Sequence, residues 1–138
     1  MGHGLSGLHL AIAHHLGWAV AVTADADHRV VDRRRLELVG PDLPAAPIHH
    51  RGGAHGLHGS EPPLDDAELG ALVDEVRRSM VEATCAELGA LAADVAGPID
   101  TISLRSWPSD LPTDIAALRR PPHESRVDAY RYLEVLAD

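Results

Sequence analysis

The chain has 138 residues, 45% of them apolar, one cysteine and a net charge of −9. That length suits one domain around one core, and the apolar share excludes a disordered chain. Cys85 alone cannot close an intramolecular disulfide, no apolar run is long enough to cross a bilayer, and no secretory leader is recognisable, so the cytoplasm is the expected location by elimination.

Leu8, Leu10 and Ile12 alternate with His9, Ala11 and Ala13 at the period of a half-buried strand. Gly17 provides the permissive residue of a tight connection, and Trp18, Val20 and Val22 mark a second strand. After the polar turn Asp25–His28, a third strand runs from Arg29 to Val39, with Val30, Leu36 and Leu38 on one face. Three strands joined by short turns predict an antiparallel meander.

Residues 40–63 are rich in Pro and Gly and read as a loop. From Leu64 the pattern changes. Leu69, Leu72, Val76, Met80, Leu88, Leu91 and Val95 recur at helical spacing, with Glu68, Glu75 and Glu82 on the other side. A helix over 64–95 would be about 48 Å long, so Gly70 or Gly89 is expected to bend or end it. Cys85, among Ala83, Ala86 and Leu88, reads as a small buried residue. The helix then acts as a crossover to a short apolar strand, Ile99–Leu104, which can pair in parallel with an earlier one. Ile115–Leu118 reads as one helical turn. A last helix follows from about His123 to Leu136, with Val127, Tyr130, Leu133, Val135 and Leu136 on its apolar side.

This order resembles the ribonuclease H-like fold, and more narrowly its RuvC-like branch. Chains of that branch open with Gly-Ile-Asp-Pro, a short variable stretch, then Thr-Gly-Trp-Ala-Val. Here Ala11-Ile12-Ala13-His14 precedes Gly17-Trp18-Ala19-Val20, and Arg33–Leu38 is similar to their third strand. Their last helix carries an early Asp-Ala pair, matched by Asp128-Ala129. The resemblance implies an α/β domain spanning 1–138: a three-stranded antiparallel meander, a crossover helix, a fourth strand and a C-terminal helix. The last strand and helix of a full RuvC domain have no counterpart.

The resemblance also implies where catalytic carboxylates would stand. The first falls at Ala13 or His14, and the second near Arg105. A magnesium pair needs hard oxygen ligands, which Ala, His and Arg do not supply. Asp128 alone cannot hold two metals. An Arg105–Asp128 ion pair would turn that carboxylate into a structural anchor.

Two other constellations carry chemistry. His14 and His15, with His123, Glu124 and Asp128, are the candidate catalytic residues: a His/carboxylate pair can serve acid–base work near neutral pH. His49, His50, His55 and His58 are the candidate metal ligands, since imidazole suits Zn²⁺, Cu²⁺ and Ni²⁺, although intervening glycines leave them loosely organised. No nucleotide fingerprint is present, and the sequence does not say which cofactor, if any, is bound.

Every basic residue is arginine, and residues 61–100 hold ten acids against Arg77 and Arg78 alone. Such an excess repels a phosphate backbone, which disfavours nucleic acid as a partner. Arg33-Arg34-Arg35 reads more simply as protection of a sheet edge. The leading expectation is a non-catalytic RuvC-like binding or assembly module that pairs as a symmetric dimer. A small enzyme built on the histidines, and nucleic-acid binding through the arginines, are the alternatives.

Overall fold

The computed structural model describes residues 7–52, 62–105 and 111–137. β1 (Leu8–His14) buries Leu8, Leu10, Ile12 and His14 and exposes the residues between them. β2 (Trp18–Ala24) runs antiparallel to it, with Ala11 opposite Val22 and Ala13 opposite Val20. Gly17 makes the connection at φ +89, where a Cβ would stand 3.0 Å from that of Ala45. The next turn is held by Asp25, whose Oδ1 accepts from the Asp27 and Arg29 amides, both at 2.9 Å. β3 (Val30–Glu37) completes the meander as an edge strand.

The inner side of β2 differs from the expected pattern. Ala19, Ala21 and Thr23 are buried, while Trp18, Val20 and Val22 face the other way and are half-exposed. Small residues on the inner side let helices approach the sheet closely. On β3, Leu36 and Leu38 join the core, but Val30 does not: a register shift opposite Thr23–Ala24 leaves it 56% exposed.

α1 (Pro47–Arg51) interrupts the region expected to be a loop, with Pro47 at its first turn, where a missing N–H is harmless. α2 (Asp66–Asp94) is one continuous helix of 29 residues, about 43 Å long. Neither Gly70 nor Gly89 ends it, and each sits in open space. Its start is a capping box: Asp65 accepts from the Glu68 amide at 2.7 Å, and Glu68 accepts from the Asp65 amide at 3.3 Å. Leu69, Val73, Val76, Met80 and Leu91 face inward. Cys85 is exposed, because its position falls outside that stripe.

β4 (Ile99–Ser103) returns parallel to β1, giving a four-stranded mixed sheet of order β3-β2-β1-β4. It is a weakly covered edge, with Ile102 half exposed. α3 (Ile115–Leu118) is the expected single turn. The expected last helix is split into a 3-10 turn at His123–Ser125 and α4 (Val127–Ala137). Its core aromatic is Tyr132, 1% exposed and donating to the Ala45 carbonyl at 2.6 Å, while Tyr130 is only half-buried.

α2 and α4 pack on one side of the sheet, where Leu10, Ile12, Leu36, Val76, Met80, Tyr132 and Leu136 meet in a single cluster. A second cluster of Ile48, Leu69, Val73, Leu118 and Val127 joins α1, α2, α3 and α4. The protein is thus an α/β fold with a mixed sheet. None of its described helices is long and apolar enough to cross a membrane.

Candidate functional site

Asp128 and Glu124 are both buried, at 2% and 3% exposure. Asp128 lies at the start of α4, beside the start of α1. Its two oxygens accept from the α1 backbone: Oδ2 from the His49 amide at 2.8 Å, Oδ1 from the Ile48 amide at 3.3 Å. It therefore caps a helix distant in sequence, satisfying amides that α1 leaves without an internal partner. Burial pushes its carboxyl up to about 6, against the opposing pull of those two amides and of Arg131. Glu124 lies near the His49 ring, Oε2 to Nδ1 4.0 Å, beyond hydrogen-bond distance.

The structure thus regroups the candidates. His49 meets Asp128 through its backbone amide and Glu124 through its ring, while keeping contact with His50. Its ring stands edge-on to His50 with centroids 5.4 Å apart. His55 and His58 lie outside the described residues. Among the described residues, no group of three or more His, Cys, Asp or Glu is placed to hold a metal ion.

His14 and His15 are separated by the pleat. His14 is the last inward residue of β1, 5% exposed, with Nδ1 buried and unpartnered among the described residues. Burial and then Arg105 depress its pKa, while the Ala129 backbone acts in the opposite direction. Arg105 accordingly acts on His14. Asp128 is committed to α1, so the expected Arg105–Asp128 anchor is replaced by a helix cap. His15 points outward and stacks on Trp18, centroids 4.3 Å apart. His123 is half-buried in the 3-10 turn, with its Nδ1 unpartnered among the described residues.

The other face of the sheet carries the exposed chemistry. Ala11 and Ala13 of β1 form the floor of a trough of about 320 Å³, flanked by Val20 and Val22 of β2 and by Ser103 and Arg105 at the end of β4. Beyond β2, the register places Arg33 opposite Val22 and Arg35 opposite Val20. The Arg35 guanidinium lies 4.2 Å from the Trp18 ring centre and bonds Glu37 at 2.7 Å. Arg34 faces inward and pairs with Asp32 and with Asp94 at the end of α2. Among the described residues, Arg33, Arg35 and Arg105 with Glu37 bring +2 to this face of a chain whose net charge is −9. In sequence, Arg33–Arg35 read as edge protection or as a nucleic-acid contact, and Arg105 as the residue near a carboxylate position of the resemblance. Their convergence required the register of three strands.

No protein-family model matches the chain, and no curated protein or solved structure matches it.

Proposed function

We propose that this protein is a non-catalytic binding module, a RuvC-like domain without its metal-ligating residues, which docks an acidic amphipathic helix on the open sheet face. The observation that carries this reading is the apolar trough banked by Arg33 and Arg35 on one side and Arg105 on the other. The strand order, with β4 parallel to β1, is compatible with the RuvC-like resemblance. The commitment of Asp128 to a cap speaks for a structural role at the one carboxylate that resemblance would keep.

The dimensions favour a helix as occupant. The arginine banks stand on β3 and at the end of β4, three strand spacings or about 14 Å apart. A helix with its side chains, about 10–12 Å across, fits between them. Charge selects against a second copy, since stacking two such faces would oppose two surfaces of +2. It also selects for carboxylates on the flanks of the docked helix, which meet unpaired arginines: among the described residues Arg33 and Arg105 form no ion pair.

The test uses a Leu/Ala-faced helical peptide flanked by Glu, and the same peptide with Lys in place of Glu. The full chain and a Val22→Glu variant are titrated with each, and tryptophan emission is followed. The expected result is saturable, salt-weakened binding of the acidic peptide only, lost in the variant. Light scattering should give a 14.7 kDa species for the free chain. Equal binding of both peptides, or none, refutes the reading. A species of twice the chain mass that Val22→Glu dissociates would establish the symmetric dimer instead, and tight single-stranded DNA binding would establish the nucleic-acid alternative.

A further inference from the structure

A second cavity lies on the far side of α4 and has no part in the sheet face. Val127, Tyr130, Arg131 and Glu134 recur at i, i+3, i+4 and i+7, so they form one stripe along the helix. Tyr132, Val135 and Leu136 turn the opposite way, into the core. The stripe lines a cavity of about 320 Å³, closed by Leu118 of α3 and by the segment around Pro112 and Thr113. That volume is at the lower end of small-molecule sites, about 300–1,000 Å³.

Leu111, Pro112, Leu118 and Val127 form an apolar side of the cavity, and Thr113, Tyr130, Glu134 and the Arg131 guanidinium a polar side. Arg131 has its Nε buried without a hydrogen-bond partner among the described residues. Of the three carboxylates that act on it, Asp128, Glu134 and Asp74, the first two are held by other partners. Glu134 is paired with Arg77, and both Asp128 oxygens accept from the α1 amides. A buried donor left unmatched beside a cavity costs free energy until an acceptor reaches it. Val127 stands one turn from Arg131, about 6 Å along the axis, so an apolar group there and an anion at Arg131 are one short molecule apart.

We infer that this cavity is a binding site for a small organic carboxylate, its carboxylate on the Arg131 guanidinium and its apolar body between Val127, Leu118 and Pro112. A planar carboxylate suits the planar fork of arginine, whereas a fully hydrated anion such as phosphate gains nothing from the apolar side.

Benzoate is the probe, with benzamide as its uncharged isostere and inorganic phosphate as an anion lacking an apolar body. Each is titrated into the full chain by calorimetry, and the perturbed amides are mapped by NMR. The expected result is saturable benzoate binding, with shifts centred on Val127–Arg131 and Leu118, and benzamide weaker by about tenfold or more. Arg131→Gln should bring benzoate down to the benzamide level. Where that variant fails to fold, Thr113→Trp, at an exposed position on the cavity wall, should block benzoate without lowering the melting temperature. Equal affinity for benzoate and benzamide, phosphate binding as tightly as benzoate, shifts centred elsewhere, or no binding at millimolar concentration would each overturn the inference.

Discussion

Replacing Asp128 by alanine tests the helix-cap assignment through its pH dependence. The variant leaves the Ile48 and His49 amides without their acceptor. The first is buried and the second partly so, and a stranded buried donor costs about 1–3 kcal/mol, so the cap is worth about 2–3 kcal/mol. Against this stands the cost of burying the charge. A carboxyl raised from 3.8 to about 6 binds more protons in the folded than in the unfolded chain between those values. Stability therefore falls as pH rises through that window and stays lower above it, by about 3 kcal/mol for two pKa units. The alanine variant has no such penalty. It should be weaker than the natural chain by about 2–3 kcal/mol at pH 4 and close to it at pH 8. Urea unfolding followed by far-ultraviolet circular dichroism at the two pH values measures the difference. A deficit that is the same at both, or larger at pH 8, would refute the assignment.

Three further outcomes are expected. The His14 ring, observed by NMR, should titrate below 6.5, and Arg105→Ala should move its midpoint upward by removing the neighbouring positive charge. Met80→Ala, at a position with no exposure, should lower unfolding free energy by about 2–5 kcal/mol in a chemical melt, and a loss under 1 kcal/mol would show that the core packs differently. Incubation with branched, duplex and single-stranded DNA in Mg²⁺ or Mn²⁺ should yield no cleavage, since Ala13 and Arg105 offer a divalent ion no oxygen side chain; cleavage that Asp128→Asn abolishes would contradict this.

The candidate site was legible in its members and not in its grouping. Glu124 and Asp128 stood out as carboxylates at a helix start, and His49 as one histidine of four. Their meeting depends on how α1 docks against α4, across about 80 residues of chain, and no local pattern encodes that distance. Pro47, suited to a first helical turn, is the local signal for α1, and it lies inside a Pro/Gly-rich stretch that reads as a loop. His14 and His15, adjacent in sequence, end on opposite sides of the sheet because side chains alternate along a strand.

Patterning by itself determined the first two strands and the long helix. Alternation over residues 8–14 and 18–24 specified strands, the stripe from Leu69 to Leu91 specified a helix long enough to cross over, and Gly17 specified the turn between the first two strands. These signals are local, since each depends on the period of one segment or the backbone freedom of one residue. Which face of β2 is buried was decided only in three dimensions. Alternation identifies two faces without ranking them, and α2 and α4 settle on the side where Ala19 and Ala21 leave room. That choice turns Trp18, Val20 and Val22 outward beside Arg33, Arg35 and Arg105, because pairing register, a property of neighbouring strands, sets which side chains share a surface.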